Sequence, residues 1–264
     1  MLSARVSQAR ILLLAAIASI AAALTGACGD GSTTASPSPA AIETAEAMSR
    51  KVSFPADYST TPVPADADRD EAIELQGRVF GDGPTGVILA HMRPADQSSW
   101  FPFATKLAAT GEYTILTFDF RGYNGSTGEK EFDRVDTDLT AALHYMRDDL
   151  GIDKVFLVGA SMGGTAALLV AAREPVAGIV SISSPARYQL LDALNTVSLI
   201  TSPKLFITSE DDVPAQLSEE QLWVQAIEPK DRETFAGDAH GTDLFAAPVG
   251  SAFERRLMDF LSSH

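Results

Sequence analysis

Cysteine is almost missing from this chain: Cys28 is the only one. A lone cysteine closes no internal disulfide, so the fold must be stable without one. Histidine is scarce as well, with four residues. No cluster with metal-ligand spacing and no glycine-rich phosphate loop is present, so no metal and no cofactor is expected. No apolar run reaches the ~20 residues that a membrane-spanning helix needs; the one from Ile11 to Leu24 stops short. Basic residues are outnumbered, 20 Lys and Arg against 35 Asp and Glu, for a net charge of −15. Such a surface repels nucleic acid and anionic head groups, and no nucleic-acid partner is expected.

The first residues read as an address. Arg5 and Arg10 supply a positive start, the apolar run from Ile11 to Leu24 follows, and the small residues Gly26 and Ala27 come just before Cys28. That order is a secretory signal with a cleavage site, expected over residues 1–27. The segment Leu24-Thr25-Gly26-Ala27-Cys28 resembles the bacterial lipoprotein signal. The resemblance implies cleavage before Cys28, diacylglycerol on its sulfur, and a mature protein anchored to the outer face of the cytoplasmic membrane. Gly29 to Pro39 is rich in Gly, Ser, Thr and Pro without apolar periodicity, so residues 28–50 are expected to form a tether, with a short helix possible over 40–48.

From about Lys51 to the end, strand and helix patterns alternate. Ile73, Leu75 and Val79 are spaced by multiples of two, as in a half-exposed strand. Continuous apolar runs of strand length lie at 87–90, 114–118, 155–158, 177–182 and 205–208. Such runs mark strands covered on both faces, as in a parallel sheet. Between them, Phe132, Val135, Leu139, Ala142, Leu143 and Met146 share one helical face. Residues 165–172 and 252–262 are further helices. The expected fold class is α/β, one domain over 51–264 with a mostly parallel central sheet.

The strongest local signal is Gly159-Ala160-Ser161-Met162-Gly163-Gly164, directly after the strand at 155–158 and opening a helix. This is the G-x-S-x-G nucleophile elbow in its confirming context. The strand-to-helix turn is tight, and side chains at 159 and 163 would collide with neighbouring elements. Serine is a weak nucleophile without a base. Of the four histidines, His144 lies inside an amphipathic helix, His264 is the last residue, and His91 ends a strand upstream of the serine. His240, in Ala236-Gly237-Asp238-Ala239-His240-Gly241, alone gives the chain order serine, acid, histidine.

On these motifs the segment from about 75 to 262 resembles the α/β-hydrolase family. Asp119-Phe120-Arg121-Gly122 after a strand is another family feature, although its following glycine is displaced to Gly125 and Asn124 stands in its place. The resemblance implies a Ser161–His240–Asp triad, an acyl-enzyme intermediate, no cofactor and a small-molecule ester as substrate. Thioester or peptide cleavage by the same triad stays open, as does a non-catalytic binding lipoprotein that kept the fold. The family places its acid in Ser209-Glu210-Asp211-Asp212-Val213-Pro214, with Ser209 at a position often held by glycine. This favours Asp212, and Asp211 is the alternative. One oxyanion-hole donor should be the Met162 N–H. The other should come from His91-Met92-Arg93-Pro94, where the family usually has His-Gly; the pattern favours Arg93 and leaves Met92 as the alternative. Only a short span separates Ser183 from Lys204, enough for one small helix over 187–194, so little or no lid is expected.

Overall fold

A computed structural model of the protein describes residues 37–56 and 73–264. The signal segment and Cys28 lie outside the described residues. The helices are α1 (Pro39–Ala47), α2 (Phe101–Ala108), α3 (Val135–His144), α4 (Met162–Ala171), α5 (Val213–Gln225) and α6 (Gly250–Ser263). The strands are β1 (Ser49–Pro55), β2 (Glu74–Phe80), β3 (Thr85–Ala90), β4 (Tyr113–Phe118), β5 (Val155–Ala160) and β6 (Gly178–Ile182). Two short strands, β7 (Arg187–Tyr188) and β8 (Leu191–Asp192), precede β9 (Lys204–Ser209) and β10 (Lys230–Phe235).

Eight strands form one sheet in the order β1-β2-β4-β3-β5-β6-β9-β10. From β4 to β10 every pairing is parallel, while β2 runs antiparallel to both of its neighbours. The continuous apolar runs have the physical cause expected of them. In β4, β5 and β9 every residue is buried, because both faces of the sheet are covered. Alternation along each strand feeds two cores. Ile88, Leu116, Leu157 and Phe206 enter the one shared with α3 and α4. Val87, Leu89, Phe156, Val158 and Ile207 enter the one shared with α2 and α6.

Two expectations differ from the structure. Residues 39–50, assigned to the tether, belong to the packed body. Helix α1 is capped by Ser38, Ala45 is 2% exposed, and Glu46 pairs with the buried Arg78 guanidinium at 2.7 Å. The short helix allowed over 40–48 is therefore present, starting at Pro39, where a missing N–H costs nothing, but it packs on the domain instead of lying in a tether. Over 187–194 the chain forms the β7–β8 hairpin rather than a helix. Gln189 turns it with φ at +53°, outside helical space, and Arg187 Nε meets Asp192 Oδ2 across the strands at 2.9 Å. Among the described residues no helix is long and apolar enough to cross a membrane.

Candidate active site

The carboxyl ends of β5, β6, β9 and β10 bring the candidate residues to one edge of the sheet. Ser161 stands between β5 and α4 with φ +48° and ψ −115°. A serine at positive φ is held there against steric preference by its surroundings. Its N–H donates to the Ile182 carbonyl at 2.7 Å. A Cβ at Gly159 would strike the Gly163 carbonyl, and one at Gly163 would strike the Ala90 carbonyl. The glycines therefore allow α4 to start hard against β3 and β5, which fixes the direction of the elbow.

His240 precedes a 3-10 turn at Gly241–Phe245. Its Nδ1 lies 2.7 Å from Asp212 Oδ2, and the two side chains are 35% and 9% exposed. A carboxylate only accepts, so Nδ1 carries the proton and Nε2 is left as an acceptor. Asp212 sits at the start of α5, and its N–H donates to the Ser209 carbonyl at 3.3 Å. Asp211 is exposed, and its N–H instead donates to the Gly237 carbonyl at 2.8 Å. Of the two neighbouring acids in this loop, the imidazole meets Asp212. Gly241, at φ +58°, lies so close to the elbow that a Cβ there would be 3.3 Å from the Ala160 Cβ and 2.5 Å from Met92 Sδ. The histidine loop therefore rests on both the serine turn and the loop after β3. The Ser161 hydroxyl forms no hydrogen bond with a described residue, so the serine–histidine contact is the one link of the set that is open. Such contacts often tighten only when substrate binds.

The other histidines are occupied. His91 is fully buried; its Nδ1 donates to the Met92 carbonyl at 2.9 Å and its Nε2 accepts from the Phe120 N–H at 3.2 Å. Burial lowers its pKa to about 4, with the Met92 carbonyl opposing. A neutral imidazole of fixed tautomer thus ties the loop after β3 to the loop after β4. His144 lies near Asp148 and Glu174, and His264 meets Phe260 edge to face.

The loop after β4 is anchored from below. Arg121 donates from Nε and Nη2 to Asp138 Oδ1 at 2.9 and 2.6 Å, inside the domain. Asp119 is buried and accepts from the Gln97 N–H, Gln97 Nε2 and Asn124 Nδ2. Asn124 adopts φ +41°. It fills the conformation that a glycine would take, which asparagine tolerates better than most residues.

For the oxyanion hole, Met162 is the first residue of α4, where the N–H has no intrahelical partner. Neither the Met92 nor the Arg93 N–H hydrogen-bonds a described residue. The helix start adds a positive dipole end. The Arg93 side chain is exposed, and its guanidinium lies 5.0 Å from the Phe132 ring centroid. Sequence reasoning passed over Ser183 and the hydroxyl of Ser209, both buried at this edge; the only signal was that Ser209 stands where glycine is frequent.

This sheet, elbow and loop order define an α/β hydrolase, and comparison with known proteins agrees. Residues 86–256 match the family model described as alpha/beta hydrolase fold. The chain belongs to that family. It is 29% identical over 229 residues to the uncharacterized protein Rv2307c of Mycobacterium tuberculosis, covering 72% of this chain and 79% of the relative. Alpha/beta hydrolase domain-containing protein 17C of Xenopus tropicalis is 23% identical over 179 residues, 57% of each chain. Among solved structures, the Pyrococcus furiosus esterase Pf2001 superposes with a TM-score of 0.66 at 17% identity, over 84% of this chain and 93% of the esterase. The dienelactone hydrolase of Anabaena variabilis gives 0.62 at 18% identity, over 82% and 99%.

Proposed function

We propose that the protein is a serine hydrolase that cleaves carboxylic esters, with Ser161 as nucleophile, His240 as base and Asp212 as acid. The observation that carries this reading is the 2.7 Å His240–Asp212 pair on a loop packed against the residue before Ser161. Ser161 Oγ attacks the ester carbonyl while His240 Nε2 takes its proton. The carbonyl π electrons move to oxygen, and the oxyanion is held by the Met162 N–H together with the Arg93 or Met92 N–H. The tetrahedral intermediate collapses, the C–O bond breaks, and the alcohol leaves with the proton from Nε2. Water, deprotonated by the same nitrogen, then releases the acid and restores Ser161. Asp212 keeps the tautomer and stabilises the imidazolium without being protonated. The esterase and the dienelactone hydrolase among its solved neighbours support ester chemistry on this scaffold. A fluorophosphonate probe should label the protein at Ser161 and not label Ser161→Ala; labelling that persists in the variant overturns the assignment.

The same proposal sets the protein on the outer face of a membrane through lipid on Cys28, on the strength of the signal resemblance in the sequence. Cys28→Ser should move the protein from the detergent phase to the aqueous phase on partitioning, or block its processing. Partitioning that ignores the substitution would leave an ordinary secretory signal.

A further inference from the structure

The peptide units on both sides of His240 are each gripped by a buried serine. Ser209 Oγ, at the end of β9, donates to the Ala239 carbonyl at 2.5 Å. Ser183 Oγ, just beyond β6, accepts from the Gly241 N–H at 3.1 Å. Their exposures are 0% and 1%, so neither hydroxyl has water as an alternative partner, and losing either bond strands a buried polar group. Each serine also belongs to a second part of the triad. The Ser209 carbonyl accepts from the Asp212 N–H, so one residue holds the acid through its backbone and the base loop through its side chain. Ser183 follows Ile182, whose carbonyl accepts from the Ser161 N–H; one dipeptide therefore touches the nucleophile and the base loop.

Backbone strain points the same way. Ser183 has φ +51°, a conformation serine rarely adopts. Its own N–H is still bonded to the Ile207 carbonyl at 2.7 Å, so the strand pairing runs up to the strained residue and ends there. Non-glycine residues at positive φ persist where the surroundings over-determine them, and they gather at functional sites. Glycine would suit this backbone better. What serine adds is the acceptor for Gly241.

We infer that Ser183 and Ser209 are paired positioning residues that clasp the His240 loop, Ser183 setting the serine–histidine separation and Ser209 the histidine–aspartate separation. This deepens the triad reading and rests on it. Neither serine touches substrate; both act through the imidazole.

The test uses p-nitrophenyl acetate turnover and the proton NMR resonance of the His240 Nδ1–H, on the whole protein. Ser183→Gly removes the hydroxyl and relieves the φ strain, so it isolates the hydrogen bond. Ser209→Gly and Ser209→Ala remove the other. Each should lower kcat by ~10–100-fold, the order expected for a displacement of about 1 Å, with KM within about twofold. A loosened Asp212 contact should move the His240 Nδ1–H resonance upfield in Ser209→Ala, because a short hydrogen bond to a carboxylate deshields that proton. Ser209→Thr, which keeps the hydroxyl, should restore both. Ser181→Ala is the control: that serine is buried beside them but bonds Ser184, and its loss should leave kcat unchanged. Wild-type kcat in folded Ser183→Gly and Ser209→Ala, with the resonance unmoved in Ser209→Ala, would overturn the clasp. Full turnover in Ser161→Ala would instead overturn the triad reading, while the resonance would still report whether the serines hold the ring.

Discussion

Burial has pushed two neighbouring groups in opposite directions, and that gives a pH prediction whose sign is fixed. Asp119 is 2% exposed, and burial raises its pKa from 3.8 to about 6, with the Gln97 hydrogen bonds holding it back. His91 is fully buried, and burial lowers its pKa from 6.5 to about 4. Between pH 4 and 6 the native state binds more protons at Asp119 than the unfolded chain does, so that group's contribution falls as pH rises. Between pH 4 and 6.5 it binds fewer at His91, so that contribution grows as pH rises. Each spans about two units or a little more, about 3 kcal/mol at roughly 1.4 kcal/mol per unit. The two nearly cancel in the wild type. Asp119→Asn keeps an acceptor for the Gln97 N–H and removes the titration, leaving His91 uncompensated. Urea-unfolding free energies at pH 4, 5, 6 and 7 should then climb by about 3 kcal/mol more in Asp119→Asn than in the wild type. Carboxylates remote from this pair affect both proteins alike and drop out of the difference, while Asp96, whose charge raises the Asp119 pKa, leaves a smaller residual. Parallel profiles for the two proteins would refute the reasoning.

The other expectations concern turnover. Ser161→Ala should lower ester hydrolysis by roughly four to six orders of magnitude with the fold intact, because the triad acts as a unit; circular dichroism and kcat measured on one sample check both halves. Asp212→Asn should lose about four orders of magnitude by stabilising the wrong imidazole tautomer, while Asp211→Asn, at an exposed residue beside the pair, should lose far less; the reverse ranking would move the acid by one residue. Short acyl chains should be preferred, since only the β7–β8 hairpin and one 3-10 turn stand between Ser183 and Lys204. Each methylene taken into a groove would add about 0.8 kcal/mol, so rates that climb from acetyl to palmitoyl p-nitrophenyl esters would show a groove where none is expected.

Periodicity and turn chemistry carried most of the fold. The run at 155–158 followed by Gly-x-Ser-x-Gly announced β5, the elbow and α4 together, because a buried parallel strand, a tight turn and a close-packed helix each restrict residue type. Chain order sets aside His91 and His144, and of the two histidines that follow Asp212 it is His240 whose imidazole meets that carboxylate, at 2.7 Å. Strand β1 was not legible: Ser49-Arg50-Lys51-Val52-Ser53-Phe54 buries only Val52 and Phe54, too few apolar positions to signal an edge strand. The short span at 187–194 has room for one small helix, but it forms a hairpin at 187–192 whose tip carries Leu190, 85% exposed. The role of His91 was hidden because its partners are backbone atoms, the carbonyl of its neighbour Met92 and the Phe120 N–H that the pairing of β3 with β4 brings near.

The three places where this chain departs from the family's glycine pattern show how a site loop can lose glycine without losing shape. Met92 and Ser209 are absent from the residues at positive φ, so their backbones never required glycine, and a side chain costs nothing conformationally. Asn124 does sit at φ +41°, and asparagine is the residue that best survives there. Each replacement then makes a contact that glycine lacks. Met92 sets its sulfur against Gly241, Ser209 bonds the Ala239 carbonyl, and Asn124 bonds Asp119. Replacing glycine also reduces the freedom of the unfolded chain, which stabilises the native loop when the backbone is compatible. Two of the three contacts, those of Met92 and Ser209, fall on the residues flanking His240. The departures thus stiffen the loop that carries His240, and if His240 is the base as proposed, a small displacement there costs the most turnover.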